Sequence, residues 1–158
     1  MIPVKPFALL TATLLAWSIA ARPAAAQDGP QPRLQTTPLT LGMHIIQAEL
    51  AITPMQQQTG MMFRKTMGTN EGMLFVNDEP GLRCFWMRNT LLPLTIAFID
   101  DDGTIVNLAD MKPLDESSHC SLKPVRFALE MNQGWFAKRG FKAGAKLRGA
   151  PFRSPAAR

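Results

Sequence analysis

The sequence predicts a mainly β protein, an antiparallel β-sandwich or barrel-like single domain with one or two short helices. Three observations lead there. Apolar residues alternate with polar ones over at least six short segments; Gly, Pro and Asp-rich turns punctuate them; and no helical pattern of ten or more residues separates them, as βαβ organisation would require.

The chain opens MIPVKPFALLTATLLAWSIAARPAAAQDG, a lysine followed by an apolar run from Pro6 to Ala21 and small residues at Ala24 and Ala26. This is the pattern of a secretory signal peptide over residues 1–26, with Gln27 as the new N-terminus. The apolar run is short for a bilayer span, so no membrane anchor is expected after cleavage, and the expected location is periplasmic or secreted. QDGPQPRLQTTP, residues 27–38, reads as a Pro- and Gln-rich linker, residues 39–148 as one domain, and residues 149–158 as a disordered basic tail.

The precursor carries a net charge of +5; loss of Lys5 and Arg22 leaves fifteen basic against twelve acidic residues, or +3. That excess is too mild for a nucleic-acid partner.

LTLGMHIIQAELAIT, residues 39–53, alternates as a strand, with Ile46, Ala48, Leu50 and Ile52 on one face and Gln47 and Glu49 on the other. Gly42 marks a bulge or the gap between two strands. Thr53-Pro54 has the chemistry of a helix start, and Gly60 that of its end. EGMLFV, 71–76, is a strand and NDEPG, 77–81, a turn. In LRCFWMR, alternation puts Phe85 and Met87 on one face and Cys84, Trp86 and Arg88 on the other, before a corner from Asn89 to Pro93. LTIAFIDDDGTIVNLAD is a hairpin around Asp-Asp-Gly. The polar loop 111–124 precedes VRFALEM, where Phe127, Leu129 and Met131 point inward and Arg126, Ala128 and Glu130 outward. WFAKR is a short helix ended by Gly140, and FKAGAKL a turn and last strand.

Cys84 and Cys120 are the only cysteines of a chain read as exported, so a disulfide is expected between them. The rival is a nucleophilic or redox thiol with His119 as its base.

GMMFRK, EGMLFV, FWMRNTLLPL, FIDDDGTIVN, LEMNQG and GFKAGAKL, in that order, resemble the bacterial and archaeal family named domain of unknown function 192. The resemblance runs from about Leu39 to Leu147 and is most specific in the Gly-Met-Leu-Phe and Trp-Met-Arg-Asn-Thr stretches. It implies a compact β domain, often behind a signal peptide, and no reaction. Ala145 stands where the family often carries Asp, and the cysteine pair is not general to it, which fits a local staple.

No motif for a nucleophile elbow, zincin, redox pair or phosphate loop is present, and no cofactor is expected. The leading expectation is a non-enzymatic module that binds a small molecule or an envelope component through Trp86, Arg88, Asn89 and Arg64, an aromatic surface beside fixed hydrogen-bond donors. One alternative is a hydrolase-type enzyme using carboxylates, from among Glu71, Asp100, Asp110 and Glu130, or a thiol. The other is a periplasmic Cu(I)-binding protein, since Met61, Met62, Met67, Met73 and Met87 fall close together and His44 or His119 would complete a soft donor set.

Overall fold

The computed structural model describes residues 29–152, so the predicted signal peptide and the last six residues lie outside the described part. The chain forms β1 (Thr36–Leu41), β2 (His44–Ala51), α1 (Pro54–Thr59), β3 (Glu71–Gly81), β4 (Cys84–Phe85), β5 (Leu94–Ile99), β6 (Ile105–Met111), β7 (His119–Cys120), β8 (Val125–Asn132) and β9 (Leu147–Arg148). Short 3-10 turns at Ala137–Arg139 and Ala150–Phe152 complete it.

Seven strands make one curled sheet, a half-barrel, in the order β6-β5-β8-β3-β2-β1-β9, while β4 and β7 pair with each other outside it. The mainly β, barrel-like expectation therefore holds. It needs one correction: β2 and β3 pair in parallel, Gln47 opposite Glu71, so this one join crosses over through α1. A six-residue helix was too short to announce a crossover in the hydrophobic pattern.

The two edges of the sheet are drawn together at one end. Ile105 N donates to Ala145 O (2.8 Å), Gly144 N to Ile105 O (2.8 Å) and Leu147 N to Gly103 O (2.9 Å). The approach is close enough to require glycine: Gly103 has φ +89°, and a Cβ there would stand 2.2 Å from the Leu147 carbonyl oxygen.

Because side chains alternate along each strand, the sheet has two apolar faces. Leu74, Ala97, Phe127, Leu129 and Met131 fill one side together with Trp135, Phe136 and Phe152. Met73, Phe75, Ile96, Phe98 and Ala128 point the other way, under a cover that includes Met61 and Met87. Each fully buried phenylalanine of these faces contributes roughly 1.5–3 kcal/mol. This second layer corrects the reading of β8: Ala128 and Glu130 were expected to face outward, yet both are buried, because β8 lies between β3 and β5 and carries a covered face on each side.

Two segment boundaries also shift. The stretch 27–38 was read as a linker, but β1 begins at Thr36, and Gln31 Nε2 donates to Gly60 O (2.9 Å) and Leu34 N to a Glu49 carboxylate oxygen (2.8 Å). In the predicted tail, Phe152 is buried edge-on against Phe127 at 5.1 Å between ring centroids. NDEPG, read as a turn, continues β3 with a register shift between Val76 and Gly81.

Candidate functional site

Two pieces of chain build a cavity over the second face of the sheet, and a third braces the second of them. The first is α1. Thr53 Oγ1 accepts from Gln56 N (3.2 Å) and Gln56 Oε1 accepts from Thr53 N (3.0 Å), a reciprocal cap, with Pro54 in the first turn. Gln57 then ties the helix down, its Nε2 donating to Val76 O (2.7 Å) and Ala51 O (3.2 Å). Gly60 ends the helix at φ +48°, and a Cβ there would press on the Phe75 ring at 3.3 Å.

The second piece is the 83–90 segment. Phe63 N donates to Asn89 O (2.8 Å), which joins it to the chain after α1. Phe85 stands edge-on to Phe75 (4.8 Å) and to Phe98 (5.9 Å). Met87 is fully buried, while Trp86 stays 49 % exposed, so the alternation read from LRCFWMR is the one observed. The third piece is the 111–124 loop, held against the second by the β4–β7 pairing and by the Cys84–Cys120 disulfide. Arg83 is fixed where these pieces meet: its N donates to Ser121 Oγ (3.0 Å) and its guanidinium to Glu79 O (2.6 Å) and Val125 O (3.4 Å).

Between them lies a cavity of about 290 Å3. Phe75, Phe85, Trp86 and the methionines at 61 and 62 give it apolar walls; Gln57, Gln58, Asn77 and Thr90 give it polar ones. Glu130, only 4 % exposed, reaches it from the centre of β8. Burial pushes the Glu130 carboxyl up to about 8, so it holds its proton at neutral pH. Among the described residues it is the one carboxylate on the cavity lining, and Arg83 the one cation.

The four residues singled out from sequence separate. Trp86 lines the cavity. The Arg88 guanidinium carbon lies 5.8 Å from the Trp86 ring centroid, stacked beside it but not on the lining. Asn89 turns the corner at φ +55°. Arg64 is buried and does not line the cavity; it pairs with Glu49 in two hydrogen bonds, Nη2 to Oε2 at 2.7 Å. Glu49, assigned to a polar face from its alternation, is buried too, and Ile52 is exposed instead.

The other carboxylates do not converge on Glu130. Asp100 and Asp102 pair with Lys123 and Lys146, and Asp110 accepts from Thr95 Oγ1. Glu71 accepts from Gly68 N (2.9 Å). The two sulfurs are bonded to each other, which leaves His119, opposite Phe85, no thiol to activate. His44 stands edge-on to Trp135 and Phe141, away from the methionines of the second face.

Sequence reasoning missed Glu130 as a buried group, and with it Arg83, Gln57 and Asn77. One signal was present: in VRFALEM the glutamate lies between Leu129 and Met131 and two residues beyond Ala128, a strand with little polar surface to spare on either side.

The fold and this cavity define a small half-barrel domain with one aromatic-walled, acid-bearing recess. The chain belongs to the domain of unknown function 192 family, described as an uncharacterized ACR, whose model matches residues 37–149. A solved protein from Sinorhizobium meliloti 1021, provisionally described as a transcription regulator, is 34 % identical and superimposes with a TM-score of 0.73, covering 77 % of this chain and 98 % of that one. A protein of unknown function from Novosphingobium aromaticivorans DSM 12444 is 37 % identical with a TM-score of 0.71, covering 82 % of this chain and 99 % of that one. No curated protein matches the chain.

Proposed function

We propose that this protein is an exported, non-enzymatic binding module that takes a small molecule, free or carried by an envelope component, into the cavity beside Trp86. One observation carries the reading: an exposed indole and two edge-packed phenylalanines flank a recess whose wall includes the fully buried Glu130. Apolar walls with a few fixed polar groups, one of them a perturbed acid, are the ordinary make-up of a ligand site. Gln57, Asn77 and Arg83 are already held by backbone bonds, so little ordering is left for a ligand to impose. Export is supported by the leader pattern and by a disulfide in a chain with two cysteines. Among the described residues no helix is long and apolar enough to cross a membrane.

A fragment screen read by thermal shift and by NMR of the Trp86 indole tests the proposal. Binders should perturb Trp86, and Trp86→Ala should remove their binding without lowering the melting temperature. A folded wild-type protein that takes up no fragment at Trp86 would overturn it.

Glu130 also gives the enzymatic alternative a specific handle, since an acid protonated near neutrality can act as a general acid. That reading requires a turnover that Glu130→Gln abolishes while Trp86-dependent binding persists.

A further inference from the structure

The cavity has a chemical bias that narrows its ligand. We infer that it selects a small organic monocation, an ammonium group held between the aromatic walls and the Glu130 carboxylate. The inference rests on the proposed binding role and adds the ligand class to it.

Phe75, Phe85 and Trp86 present π-systems, which attract a cation over a ring face, and Met61 and Met62 add polarisable thioethers. Glu130 is the one acid there and is buried, so an incoming cation is the natural counter-ion for the ionised carboxylate. Among the described residues the sheet neighbours of Glu130 carry no charge, Met73 on β3 and Ile96 on β5, and α1 faces the cavity with Gln57 and Gln58. Arg83 is the single other charged side chain on the lining. Its guanidinium is anchored on the Glu79 and Val125 carbonyls and is part-exposed, whereas Glu130 is buried. One positive charge on the lining disfavours a ligand with several positive charges, hence a monocation.

A protonated Glu130 must release its proton before it can pair with an ammonium group. Affinity for such a ligand should therefore rise about tenfold per pH unit up to about pH 8 and level off above it. A neutral ligand of the same shape has no reason to follow that curve.

The test uses two matched probes, 2-phenylethylamine and 2-phenylethanol, titrated calorimetrically into the mature protein between pH 6 and pH 9. The amine stays charged over this range, its pKa lying near the ammonium value of roughly 10. The expected result is amine binding at least tenfold tighter than alcohol binding at pH 8. Near pH 7 the wild type should release close to one proton per amine bound, read from paired buffers of different ionisation heat. Glu130→Gln should lose the pH slope and the proton release, and the uncharged Glu130→Met gives the same reading if the amide perturbs folding. Amine binding no tighter than alcohol binding, or an amine affinity flat with pH, overturns the ammonium class. If alcohol binding then still depends on Trp86, the cavity remains a binding site for neutral ligands. If neither probe binds the wild type, the cavity reading falls with it.

Discussion

Glu49 and Arg64 form a buried, two-pronged ion pair between β2 and the loop that follows α1, with Nη2 2.7 Å from Oε2 and neither residue more than 6 % exposed. Arg33 and the Leu34 amide complete the carboxylate's shell from the segment before β1. Burial by itself would raise the Glu49 pKa, but the bonds from Arg64, Leu34 and Arg33 together outweigh it and hold the group below the usual glutamate value.

Breaking this pair from one side should be far worse than removing it. Arg64→Met leaves a buried carboxylate without its main partner and should cost about 3–5 kcal/mol in urea unfolding. The double variant Arg64→Met with Glu49→Leu should recover much of that loss. Because the folded pKa of Glu49 lies below its unfolded value, its contribution is present above about pH 4.5 and disappears as pH falls through the lowered folded value.

Glu130 should act in the opposite sense. Its folded pKa is raised from 4.5 to about 8, so the stability tied to its protonated form is full below pH 4.5 and is lost as pH climbs to about 8. Between those limits the wild type should lose about 1.4 kcal/mol per pH unit relative to Glu130→Gln. Parallel denaturation curves at pH 5, 6.5 and 8 measure the difference; curves that stay a constant distance apart would refute it.

How far these groups were legible follows from range. Thr53-Pro54 announced the helix, and Asp-Asp-Gly the hairpin, because caps and turns are written in adjacent residues. Phe85 and Met87 separated from Trp86 by simple alternation. Trp86 falls on the exposed side for the same reason. Glu130 was misread because its exposure is decided by what covers the second face, chain that includes Met61 and Met87, which lie more than forty residues away in sequence. Arg64 looked like a ligand donor because its partner, Glu49, appeared to belong to a solvent face.

The disulfide joins two segments whose strand pairing covers two residues each and which are tied further by Met87 N to Asp115 O (2.7 Å), Leu114 N to Thr90 O (3.1 Å) and Ser121 N to Arg83 O (2.8 Å). The native protein should show no titratable thiol until reduced. Reduction, or Cys84→Ala with Cys120→Ala, should cost roughly 3–4 kcal/mol for a loop of this length and speed hydrogen exchange at the Ser121 and Arg83 amides.

Gly103→Ala tests the junction of the sheet edges. The added methyl would meet the Leu147 carbonyl at 2.2 Å, in a backbone conformation that alanine resists. A loss of at least about 2 kcal/mol is expected, read as a lower melting temperature. Gly144→Ala, also at positive φ but with open space around it, should lose less.

Intact mass and N-terminal sequencing of protein expressed with its leader should place the new terminus at Gln27. Retention of residues 1–26 on a folded, membrane-bound product would remove the export assignment.

The junction at Gly103 and Leu147 also bears on how this chain comes to be folded. A sheet with open borders can recruit a strand from another molecule, and here the border of β1 is capped by β9 while Gly103 to Ile105 holds the opposite one. Leu147 follows every other strand of the sheet in sequence. Without it the sheet has both borders free to cross-pair with other chains, so a chain cut before Leu147 should precipitate rather than persist as a smaller domain.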